Sequence, residues 1–158
     1  MTYYNAAPVR FGVGVSGSTT TQGVNDPEIG TRCVVDEVEY LFVYNAGGEQ
    51  VLPGQPVILS AVTGYSVTVS SVTSVDFAIG VRLHSTLPTA GYGWVATRGI
   101  GVIEMGSNES CVTGNPLGIG TEGFCLASNM TGFQTPVCGK ALESIASGGS
   151  GSAYFSLL

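Results

Sequence analysis

Few residues in this chain have the type and spacing that chemistry needs. Gly12-Val13-Gly14-Val15-Ser16-Gly17 spells G-x-G-x-x-G. That loop cradles a dinucleotide pyrophosphate when a strand leads into it and a helix opens after it. Here Ser18-Thr19-Thr20-Thr21-Gln22-Gly23 follows, a run in which no helix starts, so no nucleotide cofactor is expected. Hydrolysis through a side-chain nucleophile needs a base and an orienting group beside it. The one histidine, His84, sits between Leu83 and Ser85, and no G-x-S-x-G occurs. His84 therefore reads as a strand histidine. Glycoside cleavage needs two positioned carboxylates. Asp36, Glu37 and Glu39 cluster ahead of a strand, and Glu104 and Glu109 flank a turn. An enzyme would need Asp36, Glu39 or Glu104 to share a cleft. A solvated strand edge is the simpler reading, since charge there discourages unwanted pairing. The chain is expected to be non-enzymatic.

The four cysteines, Cys33, Cys111, Cys125 and Cys138, form no C-x-x-C pair, and His84 lies far from them in sequence. That argues against zinc, and no metal or other cofactor is expected. The start, Met-Thr-Tyr-Tyr-Asn, has neither the basic segment nor the apolar core of a secretion signal. The thiols are accordingly expected reduced and buried. Asn108-Glu109-Ser110 and Asn129-Met130-Thr131 are glycosylation sequons that read as turns, where Asn is favoured. Trp94, with Tyr92 and Tyr65, could form a stacking platform for a glycan, which makes a carbohydrate-binding or adhesion β-sandwich the alternative function. The competing expectation is that Trp94 points into the core, as large aromatics do.

The elements that would hold these residues are short. Of 158 residues, 24 are Gly and only 10% are charged, against about 25% charged in an ordinary soluble domain. Five Lys and Arg are scattered through a chain of net charge −6. No cluster can neutralise phosphates, which excludes nucleic acid and an anionic membrane surface as partners. Turn signals recur every few residues and no sustained apolar stripe of helical period appears. An all-β sandwich or small barrel follows.

The chain also resembles itself. Gly54-Gln55-Pro56-Val57 returns 60 residues later as Gly114-Asn115-Pro116-Leu117. Tyr40-Leu41-Phe42-Val43 aligns with Ile100-Gly101-Val102-Ile103, and Trp94-Val95-Ala96 with Ala153-Tyr154-Phe155. Residues 39–97 and 99–157 read as two copies of one supersecondary unit. Strands are expected at 32–36, 39–45, 57–62, 65–72, 77–83, 92–97, 100–105, 124–127, 132–137 and 152–158. Ser66-Val67-Thr68-Val69-Ser70 alternates as a half-buried strand does. Lys140–Ser147 has helical propensity, but its repeat partner points to a strand or a short irregular stretch. Residues 1–30 are rich in Ser, Thr, Gln and Gly and read as an extended N-terminal arm, with the barrel or sandwich spanning 31–158. Tyr3, Tyr4, Arg10 and Phe11 are the candidate arm contacts to a neighbouring subunit.

The run Val137-Cys138-Gly139-Lys140-Ala141-Leu142-Glu143-Ser144, then Ser147-Gly148-Gly149-Ser150-Gly151, then Ala153-Tyr154-Phe155-Ser156-Leu157-Leu158 resembles the ending of tailed-phage head decoration proteins, also called cement proteins. Val51-Leu52-Pro53-Gly54-Gln55-Pro56-Val57 and Phe77-Ala78-Ile79-Gly80-Val81 fit the same family. The resemblance covers roughly residues 39–158; the first 38 residues depart from its compact forms. It implies a small β-barrel virion protein, made in the host cytoplasm and carried on the outer surface of the capsid. It also implies a homotrimer that clamps neighbouring major capsid subunits as the head expands.

Overall fold

A computed structural model describes residues 3–5, 14–60, 64–70, 78–129 and 137–157. Among the described residues there is no α-helix, only the 3-10 turn Ala127–Asn129, so the chain is all-β as expected. The strands are β1 Tyr3–Asn5, β2 Ser18–Thr19, β3 Arg32–Val35, β4 Val38–Asn45, β5 Pro56–Leu59 and β6 Ser66–Val69. They continue as β7 Ala78–Val81, β8 Tyr92–Glu104, β9 Pro116–Ile119, β10 Phe124–Leu126, β11 Gly139–Ala141 and β12 Ser150–Ser156.

Five strands close a barrel in the order β4-β6-β5-β7-β8. The ring is completed by the antiparallel β4–β8 pairing on one side and by parallel pairs Tyr44–Ser66 and Asn45–Val67 on the other. Alternation puts Leu41, Val43, Val57, Val67 and Val95 inside it, with Val51, Ile79 and Leu87. Branched aliphatics suit that interior because they fill a pleated surface in few rotamers. The second half of the chain repeats the path. The C-terminal end of β8 pairs β12, then come β11, β9 and β10, and the isolated bridge from Phe124 to Met105, the residue after β8, brings this second, barrel-like ring round on itself.

The same hydrogen bonds recur in both halves. Leu52 N donates to Gln55 Oε1 at 2.9 Å, and Val112 N to Asn115 Oδ1 at 2.9 Å. Gly54 has φ +90° and Gly114 φ +88°, a conformation that costs glycine nothing. Pro56 and Pro116 then open β5 and β9, where a missing N–H is tolerated. Val51 and Leu87 form an isolated bridge, as do Cys111 and Ile145.

Two expectations need correction. The strands expected at 92–97 and 100–105 are one strand, β8, shared by both barrels. Gly99 carries it through at φ +138°, where a Cβ would lie 3.0 Å from Val38 Cγ2. The alignment of Trp94 with Ala153 is also one residue out. Phe42 pairs Trp94 while Val102 pairs Ser152, so Ser152 occupies the Trp94 position. A one-residue shift exchanges the faces of a strand, so Ala153, opposite Gly101, takes the inward place that Val95 holds opposite Leu41.

Residues 14–30 run back along the first barrel. Ser18 and Thr19 pair Gly93 and Tyr92, Gly30 N donates to the Phe42 carbonyl at 2.8 Å, and Phe42 N to the Thr31 carbonyl at 2.9 Å. Tyr3–Asn5 pairs β3 in parallel, with Tyr3 opposite Arg32 and Tyr4 opposite Cys33. Arg10, Phe11, the first two residues of the glycine motif and residues 132–136 of an expected strand lie outside the described residues. So do 61–62, 71–72 and 77 at the ends of three others, and Leu158.

Candidate interaction surface

One buried charge organises the first barrel. β7 pairs β8 only at Val81–Ala96, and beyond that point the chain turns away. Arg82 fills the gap and is fully buried. Its Nη1 donates to the Trp94 carbonyl at 2.7 Å, its Nη2 to the Gly17 carbonyl and Ser85 Oγ at 3.0 Å each, and its Nε to the Ser85 carbonyl. Ser85 Oγ donates on to the Ser16 carbonyl at 2.6 Å. The guanidinium thus stands in for a strand and ties residues 16–17 to the barrel. Burial lowers its pKa to about 10, against the pull of Tyr40. The second barrel needs no such device, because Leu142 N donates to the Ser152 carbonyl at 2.9 Å. Its Ala141 occupies the place of Arg82.

The outward faces of the two barrels differ in one respect. On the first, Tyr40, Phe42, Trp94 and Ala96 face away from the barrel interior, yet all are buried, Phe42 at 0% and Trp94 at 1% exposure. Phe42 and Trp94 meet edge-on with centroids 5.1 Å apart. Val15, from the N-terminal segment, packs against the cluster they belong to. On the second, the equivalent positions are Ile100, Val102, Ser152 and Tyr154. Here Ile100 is 59%, Val102 54% and Tyr154 39% exposed, and Leu142 beside them is 42% exposed. Register carries the patch across three strands: Ile100 lies opposite Tyr154, and Tyr154 opposite Lys140.

Charge is graded along this face. Arg98 lies at one end of the β8 segment, hydrogen-bonded to Tyr154 and close to Glu39 on β4, and both hold its pKa up. Lys140 is exposed nearby on β11. Glu104 lies at the other end. Partial burial and the neighbouring Glu122 raise its carboxyl above the usual range. Beside it an open groove is lined by Glu49, Gln50, Leu52, Gln55, Val69 and Glu122.

The residues singled out from sequence are dispersed. Trp94 is core and offers no stacking face. Tyr65 packs on the first-barrel cluster and Tyr92 on the other, so the three form no platform. Tyr65 lies against Gly30, whose Cβ would sit 2.6 Å from its ring. Tyr92 lies tilted against Tyr44, ring centroids 4.8 Å apart. His84 shares a 3.1 Å hydrogen bond with the Tyr40 hydroxyl, and burial and Arg82 lower its pKa. Asp36 and Glu37 form the exposed turn between β3 and β4, at φ 49° and 68°. Glu39 pairs Arg98, six residues along β8 from Glu104. The four cysteines are free and buried. Sequence reasoning missed Arg82 and the open face. A lone arginine inside Ile79-Gly80-Val81-Arg82-Leu83 was the available signal for the first.

No family model matches this chain, and no curated protein does. Among solved structures, the head fiber gp8.5 N base of bacteriophage phi29 is similar, at 11% identity over 75% of this chain and 93% of that one, with a TM-score of 0.49. A likeness at that level says nothing of function.

Proposed function

We propose that this chain is a structural, non-enzymatic protein of a bacteriophage head. It would sit on the outer surface of the shell, bind the major capsid protein and cement neighbouring subunits, stabilising the expanded head. As the family resemblance implies, three copies would act together. The observation that carries this reading is where the family-like C-terminal run lies. Leu142 and Tyr154 come from that run and stand exposed beside Ile100 and Val102. An open apolar face suits a chain that works by joining protein subunits in an assembly, further copies of itself included, whereas small molecules are taken up in concave sites. Tyr3, Tyr4, Arg10 and Phe11 are proposed as further contacts with neighbouring subunits.

The test is co-sedimentation of the purified chain with expanded phage shells that lack it, followed by heating of the loaded shells. The expected result is saturable binding and a higher shell dissociation temperature. A chain that stays in the supernatant of every expanded shell tried, at concentrations well above those of the shell subunits, overturns the reading.

A further inference from the structure

We infer that the open face of the second barrel pairs with the same face of a second copy of this chain about a two-fold axis. The face is self-complementary along β8. If the axis passes near Gly101 with the two strands antiparallel, Ile100 of each copy lies over Val102 of the other. Arg98 of each copy then lies over Glu104 of the other. Arg98 and Glu104 are six residues apart on one strand, which at about 3.3 Å per residue is roughly 20 Å. Both ion pairs therefore fall at the rim of the apolar stripe, where charge fixes register and excludes wrong partners.

The charges on each end favour this occupant. Glu104 and Glu122 already repel one another within one copy, and an incoming Arg98 relieves that. Glu39 beside Arg98 weakens the contact without reversing it, because Lys140 stands at the same end. An isologous contact also needs only one surface, used twice. The first barrel shows what this wall becomes when covered: its equivalents Tyr40, Phe42, Trp94 and Ala96 are buried. The exposed apolar stripe is made of Ile100, Val102, Leu142 and Tyr154, far short of the roughly 20–30 residues and 800 Å² of a standard interface side. The pairing is therefore weak in solution. On a shell it would join copies held close by their other contacts.

This inference goes beyond the head assignment and is tested without shells. Weight-average mass is measured by sedimentation across a series from about 1 µM to about 1 mM, where small interfaces associate. The parent, Arg98→Glu, Glu104→Arg and the double reversal are compared. Arg98 is exposed, so its reversal leaves the fold intact, which circular dichroism checks. The parent is expected to at least double its apparent mass along the series. Each single reversal, which sets like charges face to face, should shift that rise about tenfold or more to higher concentration. The double reversal should restore it. Ile100→Ser combined with Val102→Ser should abolish it. A parent whose mass is constant, single reversals that associate as the parent does, or a double reversal that stays dissociated would each overturn the pairing. Failure here with intact shell binding removes the pairing and leaves the head reading standing.

Discussion

Arg82 Nη1 donates to the Trp94 carbonyl at 2.7 Å, the acceptor position that in the second barrel is served by a backbone N–H, Leu142 to Ser152. A buried cation thus does the work of a strand. Arg82→Met removes the guanidinium donor from the Trp94 and Gly17 carbonyls and should cost about 3 kcal/mol, less whatever relief comes from no longer burying a charge. Arg82→Lys should recover less than half of this, since one ammonium cannot reach all the acceptors. Urea unfolding followed by Trp94 emission measures both. Limited proteolysis adds a local readout: cleavage between residues 14 and 30 should accelerate in Arg82→Met well before the barrel unfolds.

Gly54 and Gly114 share a backbone conformation and differ in their neighbours. A Cβ at Gly54 would lie 2.7 Å from Glu104 N and 3.1 Å from the Ile103 carbonyl carbon, while at Gly114 it would meet only Lys140 Cε at 3.9 Å. Gly114→Ala should therefore cost only the left-handed strain, about 1 kcal/mol. Gly54→Ala should cost about 3 kcal/mol, because backbone must move. Equal losses in the two variants would mean that the first turn does not press on β8 as described.

Burial pushes the Cys33 and Cys138 thiols up to about 12 and Cys125 up to about 11, from an ordinary 9.0. These are acids whose folded pKa is raised. Their contribution is whole below pH 9 and is lost as pH rises toward the folded values, because the unfolded chain releases its protons first. Arg82 acts oppositely, but only above about 10. Unfolding free energy should thus fall as pH rises from about 9 to about 10. The slope should flatten in Cys33→Ala and Cys138→Ala, and the native thiols should resist a disulfide reagent until the chain unfolds. A pH-independent midpoint across that window contradicts this placement.

The sequence carried the turns and the alternation because both are local. Gly54-Gln55-Pro56 and Gly114-Asn115-Pro116 fold as their residue types demand, and Val67 and Val69 are buried where Ser66 and Thr68 are not. The phase of β12 was not legible. Ser152 and Ala153 are both small, and only pairing with Val102 and Gly101 decides which faces inward. Nor could Ile100 and Val102 be read as exposed. Whether an apolar strand face is covered depends on what packs over it from elsewhere in the chain. The size of Trp94 favoured the core over an exposed platform without deciding between them, whereas the cation that holds its carbonyl was not legible at all.

β8 has a mechanical consequence. Its 13 residues belong to both barrels, and seven of them pair β12 while its N-terminal half pairs β4. A load applied to one barrel reaches the other through a continuous backbone whose ladder bonds must shear together, with no linker to stretch first. The molecule transmits strain as a stiff beam does, and whatever grips either end feels displacement at the other.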